Sequence, residues 1–317
     1  NVDSYGGIVR LVKSVLFMTL CFEVTGAVLC FLVFSRDYDP VHALGISIFH
    51  SIAAFNNSGF DVLGGLRNLI PYRDSILLNM TTCFLIIFGG LGFLVILDLL
   101  KHRDFRHLTF HSKAVITTTI GLLVVGTLLL KATEDITWMG ACFHSVSART
   151  AGFSTYSIGD FTNAGLFVLC VLMFIGASPG STGGGIKTST FFVILQAVRS
   201  MCTKRSIGAF HRSISQQNVS KACIIAVLSM AVVCVATFLM CVLEPECTFI
   251  QLLFEVVSAF GTVGLSTGIT PGLSVAGKLV IILVMYTGRI GAVTLISMWI
   301  EHPEPSARYS EETISIG

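Results

Sequence analysis

The stretch SARTAGFST, from Ser147 to Thr155, places a glycine among small hydroxyl residues, and similar stretches occur upstream as FNNSGF (Phe55 to Phe60) and downstream as FGTVGLST (Phe260 to Thr267). We call these three stretches the middle, first and third glycine loops. Each follows a short segment with an apolar face, and these segments are Val41 to Ala54, Thr137 to Val146 and Thr248 to Ala259. A helix of about ten residues rises roughly 15 Å, about half of the hydrocarbon core of a bilayer. Each segment can therefore enter a membrane without crossing it.

The glycine loops must then return the chain to the side of the membrane from which it came. Non-helical backbone is tolerated at membrane depth only where it is buried in protein or lines a water-filled path. Glycine suits such a path because it accepts positive φ angles and leaves neighbouring carbonyls uncovered, and rings of carbonyls replace the hydration shell of a permeating cation. The pattern predicts an ion pathway. The alternative is that the glycines serve only close helix packing.

The overall composition favours an all-α polytopic membrane protein. Hydrophobic residues make up 53% of the 317 residues, and charged residues only 12%, whereas soluble domains carry about 25% charged residues. The cysteines lie mostly within apolar runs and lack the spacing of metal ligands, so we interpret them as packing residues. The sequence starts at Asn1 without a methionine or a signal-peptide pattern, which predicts a fragment or a trimmed chain.

The remaining apolar runs predict membrane-spanning helices at Leu16 to Phe34, Ile76 to Leu97, Val115 to Leu130, Ile224 to Leu243 and Val275 to Ile300. One further run, Ala164 to Val198, is too long for a single crossing, since about 35 residues would rise some 50 Å as one helix. The segment GASPGSTGGGIKT (Gly176 to Thr188) interrupts it, and glycine and proline do not sustain a helix. We predict a broken helix whose interruption, called here the intramembrane loop, either reorganises or forms a static kink.

The distribution of charge predicts the orientation. Lysine and arginine accumulate around residues 10–13, 101–113 and 199–221, and such ends face the cytoplasm. The opposite ends carry acids just before the short segments, where they can cap those helices or concentrate cations at the outer mouth; they are Asp37, Asp39, Glu134, Asp135, Glu244 and Glu246. We expect repeat units at residues 1–113, 114–221 and 222–301 and a cytoplasmic tail at residues 302–317, with the glycine loops facing outside.

The motifs FNNSGFD, SARTAGFST, SAFGTVGLSTGIT, GASPGSTGGGIKT and TGRIGAVT resemble the membrane subunits of the Ktr/Trk family of potassium uptake systems, in particular the KtrB-like subunits. The ending RYSEETISIG (Arg308 to Gly317) is similar to that family as well. The resemblance implies units of helix, re-entrant pore helix with filter loop, and helix around a central pore. The family has four such units, whereas this chain shows three, so we expect the first unit to lie upstream of Asn1.

The resemblance also implies functional residues. The filter glycines would be Gly59, Gly152 and Gly264, and the residues that coordinate K+ beside them would be Asn57, Ser58, Thr150, Ala151, Thr262 and Val263. The middle loop has one residue fewer upstream of its glycine than the other two loops. The assignment of these flanking residues therefore depends on where the alignment places that difference. The gate beneath the filter would consist of Gly176, Ser178, Pro179, Gly180, Ser181, Thr182, Gly183, Gly184, Gly185, Lys187 and Arg289. Arg289 would form a barrier beside the pore or pair with the loop, and the alternative is a structural ion pair with Glu23 or Asp98.

The function implied by the resemblance is potassium uptake through the plasma membrane of a bacterium, stimulated by Na+, by a homodimer that binds a cytosolic KtrA-like nucleotide-binding ring. We expect lipid contact, no nucleic-acid partner, no covalent cofactor and no enzyme activity. A secondary carrier with broken midplane helices is one alternative, although the units repeat in parallel. The other is an intramembrane serine protease, because GASPG fits the G-x-S-x-G pattern around Ser178. That protease would need His50 or His144 nearby, and both lie in the short outer segments.

Overall fold

The computed structural model describes residues 5–65, 67–203 and 206–291. The α-helices within these ranges are α1 Tyr5–Phe34, α2 Pro40–Phe55, α3 Ile76–Leu91, α4 Phe93–His102, α5 Phe110–Thr133, α6 Trp138–Ser147, α7 Asn163–Phe174, α8 Thr188–Thr203, α9 Gln216–Leu243, α10 Phe249–Phe260 and α11 Val275–Ile290. Two short strands, β1 Gly208–Ala209 and β2 Arg212–Ser213, pair as an antiparallel hairpin. The end of the last predicted span and the predicted tail at 302–317 lie outside the described residues.

Three described helices, α1, α5 and α9, are long and apolar enough to cross a membrane. Only 17% to 33% of their apolar windows are buried, so most of this hydrophobic surface faces outwards, where lipid can cover it. The helices α2, α6 and α10 are shorter and precede the three glycine loops, as predicted. The chain therefore has the all-α architecture of a multi-pass membrane protein.

The helices pack in a pattern that recurs along the chain. In three successive groups, a long helix, a short helix and the helix after the glycine loop contact one another; the groups are α1–α2–α3, α5–α6–α7 and α9–α10–α11. Adjacent groups meet through equivalent elements, because α3 contacts α6 and α7 contacts α10. This arrangement brings the three glycine loops to the same region.

The predicted span Ile76 to Leu97 is not one helix, and this prediction was wrong. Helix α3 ends at Leu91, α4 begins at Phe93, and their axes differ by 99°. Gly92 between them has a φ of +85°, which an α-helix does not accommodate. The intramembrane loop fills the bend, where Ser178 N donates to Gly90 O over 3.1 Å and the Ser178 hydroxyl donates to Leu91 O. The bend therefore arises where two interrupted helices satisfy each other's backbone groups.

The interruption of the long apolar run is confirmed. Helix α7 ends at Phe174, and α8 begins only at Thr188. The ends of the intramembrane loop are joined by backbone hydrogen bonds, with Gly176 N donating to Ile186 O over 2.9 Å and Ile186 N to Phe174 O over 3.2 Å. These bonds satisfy polar groups that a break in a helix would otherwise leave unpaired.

The acids at the outer ends mostly do not cap the short helices that follow them. Asp39 does so, since its carboxylate accepts from Val41 N at 3.3 Å. Glu134 instead accepts from the backbone and hydroxyl of Thr162, the residue that caps α7. Glu244 likewise accepts from Ser274 N, at the start of α11, over 2.8 Å. Glu134 therefore links the end of α5 to the start of α7, and Glu244 links the end of α9 to the start of α11.

Candidate functional site

The three predicted filter glycines lie side by side. A Cβ atom built on Gly59 would lie 3.0 Å from Gly152 Cα, and one built on Gly264 would lie 3.9 Å from the same atom. Gly152 is therefore the central member of the row. The carbonyl oxygens of Ala151 and Val263 point towards this row, because they would lie 2.8 Å and 2.1 Å from Cβ atoms on Gly59 and Gly152. The loops thus approach one another through backbone atoms.

The three glycine loops share an unusual backbone conformation. The φ angles of Gly59, Gly152 and Gly264 are +70°, +80° and +92°. Two residues earlier, each loop has a second residue in the left-handed region, and these are Asn57, Thr150 and Thr262, with φ angles of +52°, +74° and +49°. The left-handed conformation costs a residue other than glycine about 1–2 kcal/mol. Because all three loops adopt it at the same offset, we interpret it as a requirement of the site.

The middle loop has one residue fewer before its glycine than the other two loops, and the structure accommodates this difference before the filter residues. In the third loop, Ser258 lies six residues before the filter glycine, and its hydroxyl donates to Leu265 O over 2.6 Å. In the middle loop, Ser147 lies only five residues before the filter glycine, and its hydroxyl makes the equivalent bond to Phe153 O. The repeated left-handed positions nevertheless align Thr150 with Thr262. The backbone is thus back in register where the flanking residues begin.

Polar side chains lie between the glycines and the intramembrane loop. Asn57 Nδ2 donates to Thr150 Oγ1 over 3.3 Å. A Cβ on Gly183 would lie 2.2 Å from Thr150 Oγ1, and one on Gly184 would lie 2.4 Å from Thr262 Oγ1. The loop therefore fits against these side chains only because it has no side chains of its own there. Among the described residues, Asn57 Oδ1 and Thr262 Oγ1 are buried oxygens without a hydrogen-bond partner.

The two cationic side chains of the predicted gate donate hydrogen bonds to neighbouring carbonyls of the intramembrane loop. Arg289 Nη1 donates to Thr182 O, and Lys187 Nζ donates to Gly183 O over 2.6 Å. The loop is therefore attached both to its own end and to α11. The remaining residues of the predicted gate from Gly176 to Gly185 all belong to this loop, so the structure brings the whole set together.

The alternative ion pair of Arg289 with Glu23 or Asp98 is not present. Glu23 Oε1 accepts from Asn56 Nδ2 over 3.0 Å, and Asp98 accepts from Thr109 and lies 3.7 Å from His102 Nε2. Within the described ranges, no carboxylate lies within ion-pair distance of Arg289. The positive charge of Arg289 is therefore not neutralised by an acidic side chain of the described residues.

The serine-protease alternative is also unsupported. The Ser178 hydroxyl donates to the carbonyl of Leu91. His50 Nε2 lies 2.9 Å from Thr82 Oγ1, and His144 packs against Tyr156 and Phe161. Neither histidine hydrogen-bonds to Ser178, and among the described residues no histidine is in place to act as its general base.

A cavity of about 720 Å³ opens on one side of the row of glycines. All three filter glycines line it, together with residues that follow them in each loop and with Asp61 and Lys278. The intramembrane loop lies on the side of Thr150 and Thr262. The row of glycines consequently separates an open vestibule from a covered face.

Two buried charged residues near the site were not predicted. Glu255 on α10 is 5% exposed. Its carboxylate accepts hydrogen bonds from Ser266 and Thr267 at the end of the third glycine loop and from Thr270 just after it. Arg149 in the middle loop is 7% exposed and donates to Gly176 O over 3.2 Å. In the sequence, each of these two residues is a single charge within an otherwise apolar segment, and this was the signal that could have identified them.

Comparison with known proteins identifies several similar ones. Residues 3–117 and 114–310 match the TrkH family, described as cation transport proteins. The chain is 38% identical to the Ktr system potassium uptake protein B of Vibrio alginolyticus, covering 97% of this chain and 70% of that protein. It is 34% identical to the protein of the same description from Bacillus subtilis and 36% identical to the potassium/sodium uptake protein NtpJ of Enterococcus hirae, covering 100% of this chain and 74% of each relative.

The fold is similar to a solved structure. The potassium transporter TrkH from Vibrio parahaemolyticus matches with a TM-score of 0.72 at 21% identity, covering 92% of this chain and 64% of that one. The chain thus spans slightly less than two thirds of that transporter.

Proposed function

The chain belongs to the TrkH family of cation transport proteins, and from this premise we propose that it takes up potassium through the row of glycines at residues 59, 152 and 264. The observation that carries this proposal is the shared left-handed conformation of three loops that meet through backbone atoms. Relatives described as potassium uptake proteins are 34–38% identical to it. Members of such a family are transporters and not enzymes.

The proposed filter uses backbone oxygens and helix ends. Carbonyls such as those of Ala151 and Val263 would replace the hydration shell of K+ as it enters the row. The short helices α2, α6 and α10 all end directly before the glycine loops, and a helix C-terminus carries about half a negative charge. Three such ends beside one region favour a cation there.

The proposed gate is the intramembrane loop, which covers the polar face of the filter. Thr182 and Gly183 are held by Arg289 and Lys187 through their carbonyls. Conduction would require the loop to leave Thr150 and Thr262, and its glycines permit the necessary backbone change. The positive charges of Arg289 and Lys187 would also repel K+ beneath the filter.

The wider arrangement is proposed from the resemblance and from charge. The glycine loops would face outside in a bacterial plasma membrane, and the basic connections would face the cytoplasm. A homodimer, a KtrA-like nucleotide-binding ring on the cytoplasmic side and activation by Na+ complete the proposal. A carrier built from inverted repeats would need units of opposite orientation, whereas the basic residues lie at the same end of each of the three units.

The direct test is ion uptake by the complete protein, expressed in cells that lack their own potassium uptake and then reconstituted in liposomes. We expect saturable K+ uptake in cells, faster with external Na+, and K+ flux in liposomes without any other substrate. Equal permeation of K+ and Na+ under both conditions would contradict a potassium-selective filter.

Shortening the intramembrane loop should weaken the gate. Deleting Ser181 to Gly185 removes the carbonyls that Arg289 and Lys187 bind and the segment that contacts Thr150 and Thr262. We expect the basal K+ leak to rise at least about tenfold, the effect of losing about 1.5 kcal/mol or more of closed-state hydrogen bonding to charged groups, and control by a cytosolic ring to decrease. Leak measured in liposomes at equal protein content tests this. Loss of transport from a folded protein would instead identify the loop as a structural support.

Replacing Glu255 should weaken the third glycine loop. Glu255→Ala leaves the hydroxyls of Ser266 and Thr270 and the amide of Thr267 without their common acceptor. These groups are half-buried, so the cost for each lies near the lower end of the about 1–3 kcal/mol of a buried unpaired group. We expect a lower melting temperature and a reduced K+/Na+ ratio, with a smaller change for Glu255→Gln because an amide oxygen still accepts. The exposed Glu246→Ala is the control. Unchanged selectivity in Glu255→Ala would exclude Glu255 from the support of the filter.

A further inference from the structure

Arg149 distinguishes the middle glycine loop from the other two. It follows the end of α6 and directly precedes Thr150, where the first and third loops have Asn56 and Gly261. Its side chain is 7% exposed. A guanidinium group is strongly hydrated in water, so its burial requires a compensating interaction.

The compensating interaction is with Gly176, at the start of the intramembrane loop. Arg149 Nη2 donates to Gly176 O over 3.2 Å. The amide of Gly176 donates to Ile186 O and so joins the two ends of the loop; we call this position the hinge. Among the described residues, no carboxylate pairs with Arg149, and its Nε has no protein partner. A cavity of about 20 Å³ lined by Arg149, Gly90, Thr119 and Ala177 adjoins it, and this volume suffices for one water molecule.

The middle glycine loop therefore contacts the intramembrane loop at two separate points. Arg149 holds the hinge at Gly176, while the next residue, Thr150, lies against the tip at Gly183. Thr150 is also one of the strained left-handed residues of the filter, with a φ of +74°. A movement of the loop that displaces Gly176 must break the Arg149 bond or shift the backbone that leads to Thr150.

We propose that Arg149 is a positioning residue that couples the state of the intramembrane loop to the geometry of the middle filter loop. With the loop in place, the bond to Gly176 holds the hinge closed and fixes the backbone before Thr150. When the hinge moves, the bond is lost and the filter backbone relaxes with it. This inference rests on the proposed function, because it assigns Arg149 a role in the gating of the same pathway.

The test is a double-mutant cycle in the complete protein. Arg149→Gln is expected to raise basal K+ flux at least about tenfold, as for the loss of one hydrogen bond to a charged group, and to lower the K+/Na+ ratio. In the variant lacking Ser181 to Gly185, the same substitution should change flux less than about twofold, because coupled sites are not additive. Arg73→Gln, at an exposed outer position, is the control and should change neither quantity.

Each outcome of the cycle decides the proposal. Equal fold-changes of Arg149→Gln in both backgrounds would overturn it, since Arg149 would then act independently of the loop. If Arg149→Gln does not fold, as judged by gel filtration and melting temperature, the cycle with Arg149→Lys decides, because lysine keeps the positive charge but lacks the planar fork of donors that reaches Gly176. Absence of K+ uptake by the unaltered protein would instead contradict the proposed function, which separates the two failures.

Discussion

Replacing Gly152 with serine is expected to abolish selective potassium uptake, whereas replacing Gly64 with serine should leave it nearly unchanged. The two glycines have almost the same φ angle, +80° and +79°, so the intrinsic backbone strain of the new side chain, about 1–2 kcal/mol, is similar. Their surroundings differ. A Cβ on Gly152 would lie 2.1 Å from Val263 O and 3.1 Å from Gly59 Cα, while one on Gly64 would meet nothing within 4 Å.

The consequence follows from which atoms must move. Backbone atoms of the two neighbouring loops surround Gly152, so a side chain there displaces the carbonyls that would bind K+, and a flexible neighbour cannot relieve the clash. We expect the K+/Na+ ratio to fall at least tenfold, which corresponds to about 1.4 kcal/mol of lost discrimination. Uptake of both ions, normalised to protein in the membrane, measures it. A Gly152→Ser variant that keeps the wild-type ratio would remove Gly152 from the filter.

The general fold could be predicted from the sequence because membrane thickness constrains helix length. The short segment predicted from Val41 to Ala54 is observed as Pro40–Phe55, and its location follows from length and periodicity alone. The bend at Gly92 was missed, since a glycine in an apolar run fits a packed helix as well as a broken one. The contact that decides between them is with Ser178, more than 80 residues away.

The candidate site was predictable only where it requires glycine. Positive φ angles and close backbone contacts explain why Gly59 and Gly152 stand out in the sequence, and their role in a filter stays a prediction. Asn57 and Thr262 adopt the same backbone region without being glycine, so no local signal reveals their conformation. Glu255 is similarly hidden, because its hydroxyl partners lie 11 to 15 residues away in a loop whose fold is not local.

Replacing Arg289 with alanine is expected to raise potassium flux. The substitution removes the donor that holds Thr182 O and a positive charge beside the intramembrane loop, and both changes favour conduction. In general, two positive unit charges about 10 Å apart at an effective dielectric constant of about 20 repel each other by roughly 1.7 kcal/mol. The flux should therefore rise about tenfold. The control is Lys221→Ala, which removes an exposed cationic side chain on α9 that does not line the vestibule.

Arg289→Lys separates the two contributions. If charge is the barrier, Arg289→Lys keeps flux near the wild-type level while Arg289→Ala raises it; if the hydrogen bond to Thr182 holds the gate, both variants raise flux, since lysine lacks the planar fork of donors. Flux per folded protein is the required measurement. Glu23 and Asp98 bind other partners, so loss of Arg289 leaves no buried acid unpaired, and we expect normal expression of both variants. Equal flux for wild type and Arg289→Ala at normal expression would exclude Arg289 from the gate.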